Sequence, residues 1–178
     1  NQGWKGVSEL FAGVVSHTSV ARHILRLLCV DKPKPIFDEG RLWVYGDTHW
    51  QPFSGGEQRR LVQDLDGVRV GKKRIAANKS FIDGVLNELH SMCENTGFFC
   101  TPSSGVNLRN GFLSISNTGQ KKLLAHNPSH ARRHTIDATW DEKQTYAIDG
   151  LLKKLLDGCF GTSNEAEKIK CLIYMIEI

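Results

Sequence analysis

No run of about 18 apolar residues occurs anywhere in this chain, so no segment of it reads as a membrane-crossing helix. The N-terminus lacks the charged-then-apolar layout of a signal peptide, and a cytoplasmic, soluble protein is expected. Paired cysteines are missing too. The five present, Cys29, Cys93, Cys100, Cys159 and Cys171, are odd in number, scattered and without a C-x-x-C pair, which argues against a disulfide framework or a zinc ribbon. Reduced, buried thiols are expected instead. Asn78-Lys79-Ser80 is formally a glycosylation sequon, but a cytoplasmic chain would not use it. Internal repeats and low-complexity tracts are absent as well.

Recognisable catalytic motifs are equally scarce. No G-x-S-x-G elbow is present, and no cysteine sits in a known nucleophile context. Gly67 to Lys73 imitates a phosphate loop, yet it has one residue too few between its glycines and Lys73 where a magnesium-binding Ser or Thr is required. His126, His130 and His134 recur at i, i+4 and i+8, which on a continuous helix would place three imidazoles on one face. Pro128 breaks any such helix, and no Cys or acid joins them at zinc-ligand spacing. A metal-dependent enzyme built on these histidines is therefore the least favoured of three readings, and no catalytic or metal-ligating residue is assigned.

What the chain does have is ordinary globular composition: 178 residues, 40% apolar and 24% charged, enough for one substantial core. The net charge of +4 is mild, so its distribution matters more than its size. Residues 67 to 82 carry Arg69, Lys72, Lys73, Arg74 and Lys79 with no acid among them, and a second basic pair follows at Arg132 and Arg133. Such clusters can neutralise phosphates and bind nucleic acid in a salt-dependent way without reading sequence; the plainer alternative is a solvated loop between helices.

Periodicity predicts an α+β fold, with helices packed on small antiparallel hairpins and a C-terminal helical pair. Residues 1–36 read as helical, with Leu10, Phe11, Val14 and Val15 on one face, and Val20, Ile24, Leu27 and Leu28 on another behind a cap at Thr18 or Ser19. Pro33 and Pro35 end this segment. An α+β core follows over 37–142. RLWVY (41–45) and HWQPF (49–53) predict a hairpin whose Trp43, Tyr45 and Trp50 are a packed face rather than a base-stacking platform. GGEQRRLVQDL predicts a short helix, and 80–94 the clearest helix, capped by Ser80, with Phe81, Ile82, Val85, Leu86, Leu89, Met92 and Cys93 in one stripe. Asn110-Gly111 predicts a turn feeding the strand 112–116, which pairs with 121–126 across a turn at 117–120. The last segment, 143–178, predicts two apolar stripes: one from Ile148 through Leu151, Leu152, Leu155 and Leu156 to Cys159, the other from Ala166 through Ile169, Leu172 and Ile173 to Ile176, capped by Ser163. The chain stops inside that pattern, which reads as a boundary within a longer protein.

Taken in order, RLWVYGDTHWQPF, the basic connector, the long helix, SGVNLRNGFLSISNTGQKKLLAHNPS and TIDATWDE resemble the domain preceding the superfamily-3 helicase motor in phage and plasmid primase-helicases, the group that includes the poxvirus helicase-primase. That family's aromatic-x-aspartate-to-Trp strand, Asn-Gly-hydrophobic strand, His-x-Pro segment and Tyr-Asp segment correspond here to Tyr45 to Trp50, Asn110 to Ile115, His126-Asn127-Pro128 and Ala138 to Asp141. Trp140 stands where the family usually has Tyr, and the Cys/Pro segment that commonly follows is absent around Lys143 to Ile148. The resemblance covers about residues 15 to 178. It implies a non-catalytic collar that guides DNA, single-stranded or forked, within a ring that is hexameric in the parent protein. ATP and Mg would belong to a following motor domain, and primase residues to a preceding one. DNA contact is expected at Arg69, Lys72, Lys73, Arg74 and Lys79, with Arg132 and Arg133 second. The alternative is a pure oligomerisation or protein-docking module.

Overall fold

The computed structural model describes residues 15–70, 72–116, 118 and 120–143, with 154, 157–159, 161, 164 and 167–171 beyond them. Expectations for Leu10, Phe11 and Val14, for Ser163, and for most of the two C-terminal stripes lie outside the described residues. The architecture is mixed α+β: helices pack with three small antiparallel sheets of two or three strands, and short helical stretches follow at 157–159 and 167–171. Among the described residues no helix is long and apolar enough to cross a membrane.

Helix α1 spans His17–Leu28 and starts at Ser16 rather than at Thr18 or Ser19. The reason is a reciprocal cap: Ser16 Oγ accepts from Ser19 N at 3.1 Å, and Ser16 N donates to Ser19 Oγ at 2.9 Å. Thr18 is thereby free to donate to Glu88 on the facing helix at 3.0 Å. The buried face is Val20, Ala21, His23 and Ile24, whereas Leu27, expected inside, is 41% exposed.

After Pro33 and Pro35 the chain forms β1 (Ile36–Asp38), β2 (Arg41–Tyr45) and β3 (Trp50–Phe53), an antiparallel sheet in the order β1-β2-β3. The hairpin of β2 and β3 matches the sequence reading; β1 has no counterpart in it. β1 joins β2 through Glu39 (φ 52°) and Gly40 (φ 71°), both left-handed, the backbone pattern of a type I′ turn. Trp43 and Trp50 are buried and meet Phe98 and Phe99 edge-on or tilted, so these aromatics form a packed face as expected.

Helix α2 (Gly55–Gln63) opens with a capping box: Glu57 N donates to Ser54 Oγ at 3.2 Å and Ser54 N donates to Glu57 Oε2 at 3.0 Å. A two-stranded ribbon, β4 (Arg69–Val70) with β5 (Lys73–Arg74), then leads to α3 (Lys79–Cys93). α3 starts one residue before the predicted helix. Asn78, the first residue of the formal sequon, is its cap and accepts from Phe81 N at 2.9 Å. Its stripe is inside as predicted: Ile82, Val85, Leu86, Leu89 and Cys93 are buried against Val20 and Ile24 of α1, Val62 of α2, and Val70 of the ribbon. Burial pushes the Cys93 thiol up to about 11, so it stays protonated and inert. Of the other cysteines, Cys100 and Cys159 are exposed rather than buried, and all five are free.

The last sheet is β6 (Gly105–Leu108), β7 (Gly111–Ile115) and β8 (Lys121–Leu124) in that order. Asn110-Gly111 does end a tight turn, because Leu108 pairs with Gly111 and only Arg109 and Asn110 lie between. Gly111 has φ +152°, and a Cβ there would sit 2.4 Å from the Leu124 carbonyl oxygen, so no other residue fits. Asn110 has a second task that the turn motif does not announce. Its Nδ2 donates to Trp140 O at 2.8 Å and its Oδ1 accepts from Trp140 N at 3.0 Å, clamping the strand-like 136–140 segment onto the turn.

Candidate nucleic-acid interface

The basic connector forms a short ribbon whose root is packed into the core while its charged side chains stay exposed. Gly67 N donates to Ile75 O and Ile75 N to Val68 O, both at 2.9 Å, which lengthens the ribbon beyond its two named pairs. Val70 and Ile75 are 1% and 2% exposed, so the ribbon's root belongs to the main core. Asp66 Oδ1 accepts from Ala77 N at 2.8 Å and closes its base. The ribbon is antiparallel with no following helix at the loop, so the resemblance of Gly67 to Lys73 to a phosphate loop is one of letters alone.

Arg69, Lys72, Lys73, Arg74 and Lys79 are all exposed. Among the described residues no acid pairs with any of them. Arg69 and Arg74 are direct cross-strand partners, an arrangement that places like charges side by side. Such pairs repel unless anions gather between them. Lys79 occupies the first turn of α3, where a cation opposes the helix dipole. The arrangement therefore sacrifices a little stability to concentrate positive charge.

Arg132 and Arg133, expected as a second phosphate contact, sit differently. Arg132 is 7% exposed, donates to the Ser103 carbonyl oxygen and lies 5.3 Å over the Phe112 ring. Arg133 donates to Glu39 Oε1 at 2.6 Å and lies 5.0 Å from the Trp43 ring and 4.3 Å from that of Phe99. Beside it Asp38 is buried. Burial alone would raise the Asp38 carboxyl, but hydrogen bonds from the backbone N–H groups of Gly97, Phe99 and Glu39, and the Arg133 charge, together hold it below the usual carboxylate range. Arg132 thus fastens its segment to Ser103 and Phe112, and Arg133 ties it to Glu39 and the Trp43 and Phe99 rings.

The three histidines do not share a helical face. His126 follows β8, His130 ends a 3₁₀ turn over Pro128–His130, and His134 lies in the irregular segment beyond. His126 Nδ1 donates to Asn107 Oδ1 at 2.9 Å, whereas the His130 ring stacks 4.0 Å from that of Phe112. Asn107 is buried, and its Nδ2 also donates to Thr48 O and Thr135 Oγ1, each at 2.9 Å. The loop before β3 is joined in this way to β6 and to 134–135. His49, which belongs to the same network, has its pKa lowered by burial and then by the charges of His134 and His126. Among the described residues no group of three or more His, Cys, Asp or Glu is placed to hold a metal ion.

One gathering of polar groups leaves no trace in the sequence. Gln58 and His90, on different helices, hydrogen-bond at 2.7 Å on the wall of an open cleft beside Arg41 and Arg59. Only their 32-residue separation hides it, because no local spacing pattern links α2 to α3. No protein-family model matches the chain, and no curated protein matches it.

Proposed function

We propose that this chain is a non-catalytic, DNA-guiding collar of a phage- or plasmid-type helicase-primase, whose parent protein unwinds DNA with ATP and Mg held in a separate motor domain. The observation that supports it most is the acid-free ribbon. Four exposed cations, Arg69, Lys72, Lys73 and Arg74, are carried on an arm whose root is fixed in the core, with Lys79 beside it at the start of α3. A cationic ribbon anchored at its root offers phosphate contacts without base-edge readout, which suits a module that must hold any passing strand. The ordered series of short motifs from Tyr45 to Asp141 supports the family side of the reading.

The test is single-strand DNA binding across a salt series, with Arg69, Lys72, Lys73 and Arg74 replaced together by alanine. The expected result is weaker binding and a salt slope that falls by roughly 0.7 for each phosphate the protein no longer neutralises. Unchanged affinity and slope would overturn the assignment. Replacing Arg132 and Arg133 is expected to affect folding before it affects the slope.

A further inference from the structure

A cleft of about 470 Å3 opens between the β1-β2-β3 sheet and helices α2 and α3. That volume is within the range of small-molecule sites, roughly 300–1,000 Å3. Its wall is more apolar than polar, with the Phe37 and Phe53 side chains, and its polar residues are Arg41, Ser54, Gln58, Arg59 and His90. Arg59 is engaged by Asp83 at 2.6 Å, but Arg41 is exposed and has no acid partner among the described residues.

Hydrogen bonding fixes which proton the imidazole carries. Gln58 Nε2 donates to the Phe53 carbonyl oxygen at 2.6 Å, so its Oε1 is the atom turned to His90. His90 Nε2 lies 2.7 Å from that oxygen and must donate to it. Burial lowers the His90 pKa, which keeps the ring neutral near pH 7. A neutral ring protonated at Nε2 leaves a lone pair on Nδ1. That atom has no hydrogen-bond partner among the described residues and is not sealed from solvent. The ring itself is held by stacking on Phe37 at 4.2 Å and 14°, so the acceptor is presented in a fixed direction.

A fixed acceptor on an apolar, aromatic wall, with an unpaired cation nearby, matches a planar heterocycle that bears an N–H donor and carries a phosphate. We propose that this cleft binds a nucleotide unit, its base against the Phe37 and Phe53 rings and donating to His90 Nδ1, its phosphate facing Arg41. All four DNA bases carry an N–H donor, so the site tolerates any sequence. A free nucleotide and a nucleotide within a strand share this chemistry; the proposal rests on the nucleic-acid reading above only in offering a strand as one source.

The experiment follows the 15N signal of His90 Nδ1 while the protein is titrated with dAMP, with a short oligo-dA, and with an abasic oligomer of the same length. A saturable shift with dAMP supports a site for free nucleotides; a shift with oligo-dA alone supports the strand as the source. No shift with either, or an equal shift with the abasic oligomer, overturns the proposal. His90→Gln keeps a side-chain N–H for Gln58 but removes the Nδ1 acceptor, and is expected to weaken binding about tenfold, as is Arg41→Ala. Failure at the ribbon and failure at the cleft are read separately, because the His90 15N signal reports the cleft and the salt slope of strand binding reports the ribbon. Because the wild-type titration needs no variant, a misfolded substitution cannot hide the answer.

Discussion

Arg69 and Arg74 face each other across the β4–β5 ribbon and are exposed, whereas Arg132, adjacent to Arg133 in sequence, is buried, and Arg133 is half-buried and paired with Glu39. The residue type is the same in both places. What differs is the supply of acceptors. The second pair lies within reach of the Ser103 carbonyl, the Glu39 carboxylate and three aromatic faces, and the first meets no acid at all among the described residues. A guanidinium that finds fixed acceptors becomes a structural fastener, and one that finds none is left to recruit anions from outside. Removing acceptors should damage folding at the first kind of site, and removing cations should damage only binding at the second.

The largest effect is expected at Asp38. It accepts from Glu39 N at 2.9 Å and Gly97 N at 3.0 Å, and from Phe99 N at 3.3 Å. Asp38→Ala would leave these buried donors and the neighbouring Arg133 without their carboxylate, at a cost of about 3 kcal/mol in a urea titration. Its pKa is lowered on folding, so the stability it supplies is present above the unfolded value near 3.8 and is lost as pH falls through the folded one. A loss below about 0.5 kcal/mol would erase the distinction between the inward and outward sites, since surface substitutions cost no more than that.

Next in size is a comparison between the two tight hairpins. Gly111→Ala places a Cβ against a backbone oxygen at positive φ and is expected to cost about 2 kcal/mol or more. Gly67→Ala, at the root of the basic ribbon, meets only the strain of φ +73°, because nothing lies within 4 Å of its Cβ position. About 1 kcal/mol is expected there. Equal losses in thermal melts would show that the ribbon's root is as crowded as the β7 strand.

A smaller change is expected from pH alone. His23, His49, His90 and His130 all have their pKa lowered, in each case first by burial. Unfolding lets each of them take up a proton near its ordinary value of 6.5, so the unfolded chain binds more protons and gains on acidification. Stability is therefore lost as pH falls from about 7 toward 5, and the midpoint of thermal unfolding should decline over that window. His90→Gln should flatten the decline; an unaltered slope would mean that His90 takes up its proton alike in the folded and unfolded chains.

These same contrasts show what the sequence could reveal. The α3 stripe and the aromatic hairpin were legible because a dozen or so adjacent residues carry the period that decides them. β1 and β6 were not, since IFD and GVNL are too short to show alternation, and Glu39 gives no turn signal despite its φ of 52°. The caps slipped by two or three residues because Ser16, Thr18 and Ser19, or Asn78 and Ser80, are all competent side chains; only the folded hydrogen bonding picks among them. Charge was legible as a count and not as a role. The acceptor that claims Arg133 is Glu39, 94 residues away, and Gln58 fixes the His90 tautomer from 32 residues away. Pairings of that kind come from tertiary packing, and no window along the chain contains them.

The smallest effect on stability is expected from the most drastic change of charge. Replacing Arg69, Lys72, Lys73 and Arg74 together by alanine removes no side-chain hydrogen bond or ion pair formed with a described residue. It also relieves the cross-strand repulsion between Arg69 and Arg74. The root of the ribbon is held by Val70, Ile75 and the Asp66 bond to Ala77, which the substitution leaves in place. Stability should therefore change by less than about 0.5 kcal/mol, with a gain as acceptable as a loss. The same protein should lose most of its salt-dependent DNA affinity. A large destabilisation would mean that these cations meet acceptors after all, and the contrast with Arg132 and Arg133 would collapse. An unaffected fold with unaffected DNA binding would keep the contrast and remove its functional meaning.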